Sequence, residues 1–142
     1  MKHVFLDTNV ILDFITKREP HTIYAKPIFE LANNNELMIY TSAVSLSNCF
    51  YILERSYKKE RSEIKKVFKK LLQILHVTNL SEGNVLEALN SNFEDFEDAL
   101  QNYSAINISD LSIIITRDKS DFVSSELLIV TPEEFLSNLR KE

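Results

Sequence analysis

The run Val4-Phe5-Leu6 ends abruptly in Asp7-Thr8-Asn9, and that junction constrains the fold more than any other stretch of the chain. Met1 to Leu6 holds an apolar run of strand length, and then a carboxylate arrives with no polar approach. A strand that is apolar on both faces belongs in the middle of a parallel sheet covered by helices. An Asp at its carboxyl end lies in the crevice where open α/β sheets bind ligands. A carboxylate withdrawn from water there needs hydrogen-bond donors, a cation or a metal. The same Asp is also a good helix N-cap, and the strand end alone leaves both roles open. Further carboxylates at other strand ends are what would favour chemistry.

The 142 residues suit one domain, 1–142, able to bury about two-thirds of its unfolded surface. With 44% hydrophobic and 26% charged residues the composition is that of an ordinary soluble domain. No segment reaches the roughly 20 apolar residues of a membrane span. Asp7 interrupts the N-terminal apolar run, so a signal peptide is not expected, and the lone Cys49 fits a reducing compartment. A cytoplasmic protein with no membrane partner is expected. The only glycine, Gly83, excludes the multi-glycine phosphate loops of ATPases and dinucleotide enzymes. His3, His21 and His76 have neither zinc-ligand nor triad spacing.

Beyond Asp7 the chain alternates helical and strand patterns. Val10, Ile11, Phe14 and Ile15 form a helix stripe. A second helix spans about His21 to Leu31, with Ile23, Ile28, Phe29 and Leu31 inward and Pro27 marking a kink or a late start. Leu37–Tyr40 reads as the second strand, and a third helix carries Val44, Leu46, Phe50, Tyr51 and Leu53. A long basic amphipathic helix from Arg55 puts Ile64, Val67, Phe68, Leu71 and Leu72 on one side. Ile74–Val77 is the third strand, followed by a helix capped by Ser81 with Val85, Leu86 and Leu89 inward. A further helix ends near Ile108. Leu111–Ile115 and Leu127–Val130 complete the strands, and Thr131-Pro132 opens the last helix as N-cap and first turn. The pattern predicts an α/β fold, a three-layer α/β/α sandwich on a mainly parallel sheet of about five strands.

The acids now fall into place. Asp7 ends strand one, Asp118 follows strand four with Asp121 three residues on, and Asp98 opens the helix that feeds strand four. Singly these read as caps, first-turn acids or turn residues. Gathered at one sheet edge they would repel unless a divalent cation neutralised them, and oxygen-only ligands suit Mg²⁺ or Mn²⁺. Such clusters catalyse in-line displacement at phosphorus, the metal activating water and stabilising charge on the attacking and leaving oxygens. Thr8, Asn9 and Thr116 can hydrogen-bond the carboxylates or a phosphate oxygen, and Arg117 is the best-placed cation for phosphate.

The motifs Leu6-Asp7-Thr8-Asn9, Asp95-Phe96-Glu97-Asp98-Ala99-Leu100 and Ile115-Thr116-Arg117-Asp118 with Asp121-Phe122 resemble the PIN domain. Val130-Thr131-Pro132-Glu133-Glu134-Phe135-Leu136 resembles the tail of its small bacterial members, so the likeness runs in order along the whole chain. The resemblance implies a Mg²⁺- or Mn²⁺-dependent ribonuclease, toxin-like, with RNA as substrate, an antitoxin protein as partner and a homodimer as assembly. By position it makes Asp7, Asp98 and Asp118 the metal-binding acids and Asp121 an accessory. Many members carry Glu where this chain has Asn48; its carbonyl can ligate a hard cation but brings no charge, which implies weaker metal binding.

The net charge of −5 is unusual for a nucleic-acid binder. A basic stretch (Arg55, Lys58, Lys59, Arg61, Lys65, Lys66, Lys69, Lys70) can border the crevice or simply solubilise a helix. Two other functions stay open. One is a nucleic-acid-binding PIN fold with weak or lost catalysis, supported by Asn48. The other is an aspartyl-phosphate phosphatase, which would want a second Asp where Asn9 stands and a lysine for which only Lys119 is available.

Overall fold

Val4, Phe5 and Leu6 are fully buried, which requires layers on both faces of β1 (Lys2–Leu6). The computed structural model describes residues 1–142 and supplies both layers. Strands β1, β2 (Leu37–Ser42), β3 (Leu75–Thr78), β4 (Leu111–Ile115) and β5 (Leu128–Val130) pair in parallel throughout, in the order β3-β2-β1-β4-β5. Seven helices join them: α1 (Thr8–Thr16), α2 (Thr22–Asn33), α3 (Ala43–Arg55), α4 (Arg61–Leu71), α5 (Glu82–Leu89), α6 (Phe96–Ile106) and α7 (Pro132–Arg140). This is the expected α/β sandwich on a five-stranded parallel sheet.

Because side chains alternate along a strand, one face of the sheet sends Val4, Leu6, Ile39 and Ile115 into a core with α1, α2, α3, α4 and α7. The other face packs Phe5 and Ile114 against Ala105 of α6 and Phe122. From β1 the chain moves out to β2 and β3, then crosses back to β4 and β5 on the opposite flank. The strand order therefore reverses between β1 and β4, and such a switch point opens a crevice at the carboxyl ends of the strands. Asp7 and Thr116 are the first residues beyond those two ends.

Local signals account for most boundaries. Ser81 and Thr131 cap α5 and α7 with reciprocal capping boxes, and Pro132 occupies the first turn of α7. Helix α2 continues through Pro27. The carbonyl that loses its partner there is that of Ile23, whose residue is exposed, so water can satisfy it. The basic helix begins at Arg61, not at Arg55: residues 56–60 separate it from α3, and Lys58 there adopts a left-handed φ of 55°.

Several inward assignments are corrected. Val85, Leu86 and Leu89 are 37%, 54% and 64% exposed, while Asn84 and Ala88 face inward. The side chain of Asn84 closes the Ser81 capping box and donates to Asn107 beyond α6, which turns that face of α5 inward against its apolar pattern. Ile23, Tyr51, Val67 and Leu72 are exposed as well.

Candidate active site

Asp7 is at once a cap and part of a site. Its Oδ1 accepts the Thr8 backbone N–H at 2.7 Å, which starts α1 directly at the end of β1. Its Oδ2 accepts the Thr116 hydroxyl at 2.7 Å and the Asn9 amide at 3.4 Å. The residue is 6% exposed. Burial pushes its carboxyl above the usual range; the bonds from Thr116 and Thr8 oppose that, and the Asp118 and Asp121 charges add to it.

Asp118 stands across the switch point. Its backbone N–H donates to the fully buried Thr116 hydroxyl at 3.0 Å, and its Oδ2 accepts the Asn9 amide at 3.2 Å. Asn9 thus bridges Asp7 and Asp118, while its own Oδ1 accepts the Arg117 backbone N–H at 3.3 Å. The Thr8 hydroxyl is buried next to this network without a hydrogen-bond partner.

The second wall is the start of α6 with the 3₁₀ turn Lys119–Phe122. Asp95 caps α6 by accepting the Asp98 N–H at 3.1 Å, and Asp98 is half-buried on the first turn. That burial, with the charges of Asp7, Asp95, Asp121 and Glu97, lifts the Asp98 carboxyl to about 7. Asp121 is also raised, by desolvation and by Asp118, Asp95 and Glu94. Asp95, Asp98 and Asp121 line a cleft of about 510 Å³ together with Glu94, Ser120 and Ser124.

None of Asp7, Asp98, Asp118 and Asp121 has a Lys, Arg or His within ion-pair distance. An all-oxygen donor set with uncompensated charge, beside an orphaned hydroxyl, fits a hard divalent cation. As the side chains stand, no three acids meet at one ligand point. Asp118 and Asp121 are exposed and Asp98 half-exposed, so rotation about their side-chain bonds is open to them.

Two expected site residues, Asn48 and Arg117, and the lysine of the phosphatase alternative all bond within the chain. The Asn48 amide on α3 donates to Glu97 Oε1 of α6 in a short bond. Its nitrogen therefore faces a carboxylate that the sequence reading passed over; the signal was the acidic run Glu94-Asp95-Phe96-Glu97-Asp98. The Arg117 guanidinium, expected at phosphate, is bonded within the chain to Asp13. Its Nε donates to Asp13 Oδ2 at 2.7 Å and an Nη to Asp13 Oδ1 at 3.3 Å. Asp13 was also passed over, although a charge amid Val10, Ile11, Leu12, Phe14 and Ile15 signals a buried partner. Lys119, the lysine a phosphatase would need, is bonded to Glu134 at 3.1 and 3.2 Å. The basic helix α4 contributes nothing to the lining of the acidic cleft.

A family model described as the PIN domain matches residues 3–120. No curated protein matches the chain. Among solved structures, the chain is similar to VapBC2 from Rickettsia felis bound to a DNA fragment from their promoter. That match has a TM-score of 0.65 at 18% identity, covering 89% of this chain and 96% of that one. PAE2754 from Pyrobaculum aerophilum matches with a TM-score of 0.62 at 19% identity, over 99% and 98% of the two chains. FitAB bound to an IR36 DNA fragment matches with a TM-score of 0.66 at 12% identity, over 91% and 94%. At such identities these likenesses speak for the fold, whereas the family model covers most of the sequence: the chain belongs to the PIN domain family.

Proposed function

We propose that the protein is a Mg²⁺- or Mn²⁺-dependent endoribonuclease. The observation that carries this reading is the set of four carboxylates, from three separate chain segments, that stand around the switch-point crevice near enough to feel one another's charge, none of them paired with a Lys, Arg or His. Asp7, Asp98 and Asp118 would hold the ion, with Asp121 beside them. Bound there, the ion would activate water and stabilise charge on the phosphodiester oxygens. Asn9 and Thr116 fix the orientation of Asp7 and Asp118.

A toxin-like role with an antitoxin partner belongs to the same reading, supported by the likeness to VapBC2 and FitAB. A homodimer is supported by the exposed apolar residues Val85, Leu86 and Leu89 on α5, and light scattering would test it. A cytoplasmic location is consistent with the buried free Cys49, and no helix is long and apolar enough to cross a membrane.

Calorimetric titration of Mn²⁺ and Mg²⁺ into wild type and Asp98→Asn, followed by an RNA cleavage assay with and without EDTA, is the direct test. Ion binding lost in the variant together with EDTA-sensitive cleavage is expected. A specific observation favours a second reading, a nucleic-acid-binding protein with weak catalysis: Asn48 offers no charge and its amide is spent on Glu97. RNA binding without cleavage at millimolar Mn²⁺ would select it. The phosphatase reading loses its lysine to Glu134.

A further inference from the structure

We propose that Asp13 is a positioning residue that holds Asp118 in the crevice, acting through Arg117. Asp13 is 1% exposed and lies on α1, the helix that Asp7 caps and that carries Asn9 in its first turn. Its position relative to those two residues is therefore set by one rigid element. Arg117 belongs to the irregular segment between β4 and the 3₁₀ turn, where nothing in the sheet ladder fixes the chain after Thr116. The two bonds from Arg117 to Asp13 tie that segment to α1, and they are the only charged tie between them.

The consequence for Asp118 is direct. With the guanidinium anchored, the Arg117 N–H meets Asn9 Oδ1 and the next N–H, that of Asp118, meets Thr116 Oγ1. Those two bonds aim the Asp118 carboxylate at the Asn9 amide and toward Asp7. A planar guanidinium gripping both carboxylate oxygens fixes direction as well as distance, which a lysine would not do. Arg18 balances Asp13 from the other side at 3.8 Å and also donates to the Tyr57 hydroxyl, so the buried carboxylate does not depend on Arg117 alone for charge. Removing Arg117 thus frees the turn without leaving the buried Asp13 carboxylate bare of positive charge.

The consequence for ion binding rests on the reading of Asp118 as an ion ligand; the positioning itself does not. Amide hydrogen exchange on the metal-free protein separates the two. In Asp13→Asn, exchange at Arg117 and Asp118 is expected to rise at least about 10-fold, while the Asp7 amide, held by the Ile115 carbonyl at 3.0 Å, stays as in wild type. Mn²⁺ affinity is expected to fall about 10- to 100-fold, the usual effect of losing an outer-shell partner. Should Asp13→Asn fail to fold, Arg117→Gln breaks the same pair from its half-exposed side and carries the same expectation.

Unchanged exchange at Arg117 and Asp118 would overturn the proposal. So would a rise in which the Asp7 amide keeps step, because that marks a pair that merely supports the fold. A local rise in exchange with wild-type protein that binds no Mn²⁺ would uphold the positioning and reject the metal reading. A local rise with Mn²⁺ affinity unchanged would overturn the claim that the clamp serves the ion site.

Discussion

The two walls of the crevice are built on opposite terms. On the β1–β4 wall every carboxylate oxygen of Asp7 has a donor, and Asn9, Thr116 and the Asp13–Arg117 pair tie Asp118 to α1. On the α6 wall Asp98 and Asp121 face other acids, and the principal causes of their raised carboxyl pKa values are burial and like charge. Folding completes most of the first wall unaided, since its polar side chains, the buried Thr8 hydroxyl excepted, find partners within the chain. The site acids of both walls lack a cationic partner, but those of the second also have few hydrogen-bond donors, a condition that a bound cation relieves.

If that contrast is correct, Asp7→Asn gives the largest loss. It removes the one buried carboxylate both walls share, while the amide oxygen can still cap α1. Mn²⁺ affinity should fall by more than the roughly 100-fold that an outer-shell change costs. The melting temperature should also fall, because the amide nitrogen would stand where Oδ2 now accepts from Thr116 and Asn9. A calorimetric titration alongside a thermal melt checks both halves.

Thr116→Val comes next and reports on the ordered wall alone. Its hydroxyl is fully buried, donates to Asp7 and accepts from Asp118, so its loss leaves two polar groups short of a partner. A destabilisation of about 1–3 kcal/mol by denaturant unfolding is expected, with a drop in ion affinity. A variant as stable as wild type would mean that the wall is not held together as described.

Asp98→Asn probes the opposite wall, and its sign is reversed for stability. In the fold the Asp98 carboxyl keeps its proton up to about pH 7, against 3.8 when unperturbed. The folded state therefore binds more protons than the unfolded chain between about pH 4 and 7. Metal-free stability should fall as pH rises across that window and reach its low plateau above 7. Asp98→Asn should lack this component and melt higher than wild type at pH 8. Ion affinity of the wild type should rise with pH up to about 7, because the ion competes with that proton. A metal-free protein whose stability rises from pH 5 to 8 would contradict the account of this wall.

The contrast also explains what could be read from the chain. The sandwich was legible because β1 and β4 are apolar on both faces and because Thr131-Pro132 marks a helix start by local chemistry. Asp7, Asp98, Asp118 and Asp121 were legible because strand ends and helix starts are recognisable one segment at a time. The fate of Arg117 was not, since its partner lies 104 residues away and a lone Arg beside an Asp reads equally well as a phosphate contact. The inward face of α5 was hidden for a related reason: Asn84 is turned inward by Asn107, a partner at the far end of α6, against the apolar residues that set the pattern. Pairings between distant polar groups leave no period in a sequence.

The smallest expected effect concerns Asn48 and Glu97. Helix α3 offers an amide where a carboxylate would be useful to a cation, yet the Glu97 carboxylate of α6 lies against that amide and adds to the charge felt by Asp98. Charge absent from one helix is thus present on its neighbour. Glu97→Gln should lower Mn²⁺ affinity only a few-fold and bring the Asp98 carboxyl down from about 7, readable by NMR titration. If location matters less than total charge, Asn48→Glu added to Glu97→Gln should restore the lost affinity. If it does not, the acid on α6 acts through its bond to Asn48, by holding α3 against α6, and the charge count of the second wall is the wrong description of it.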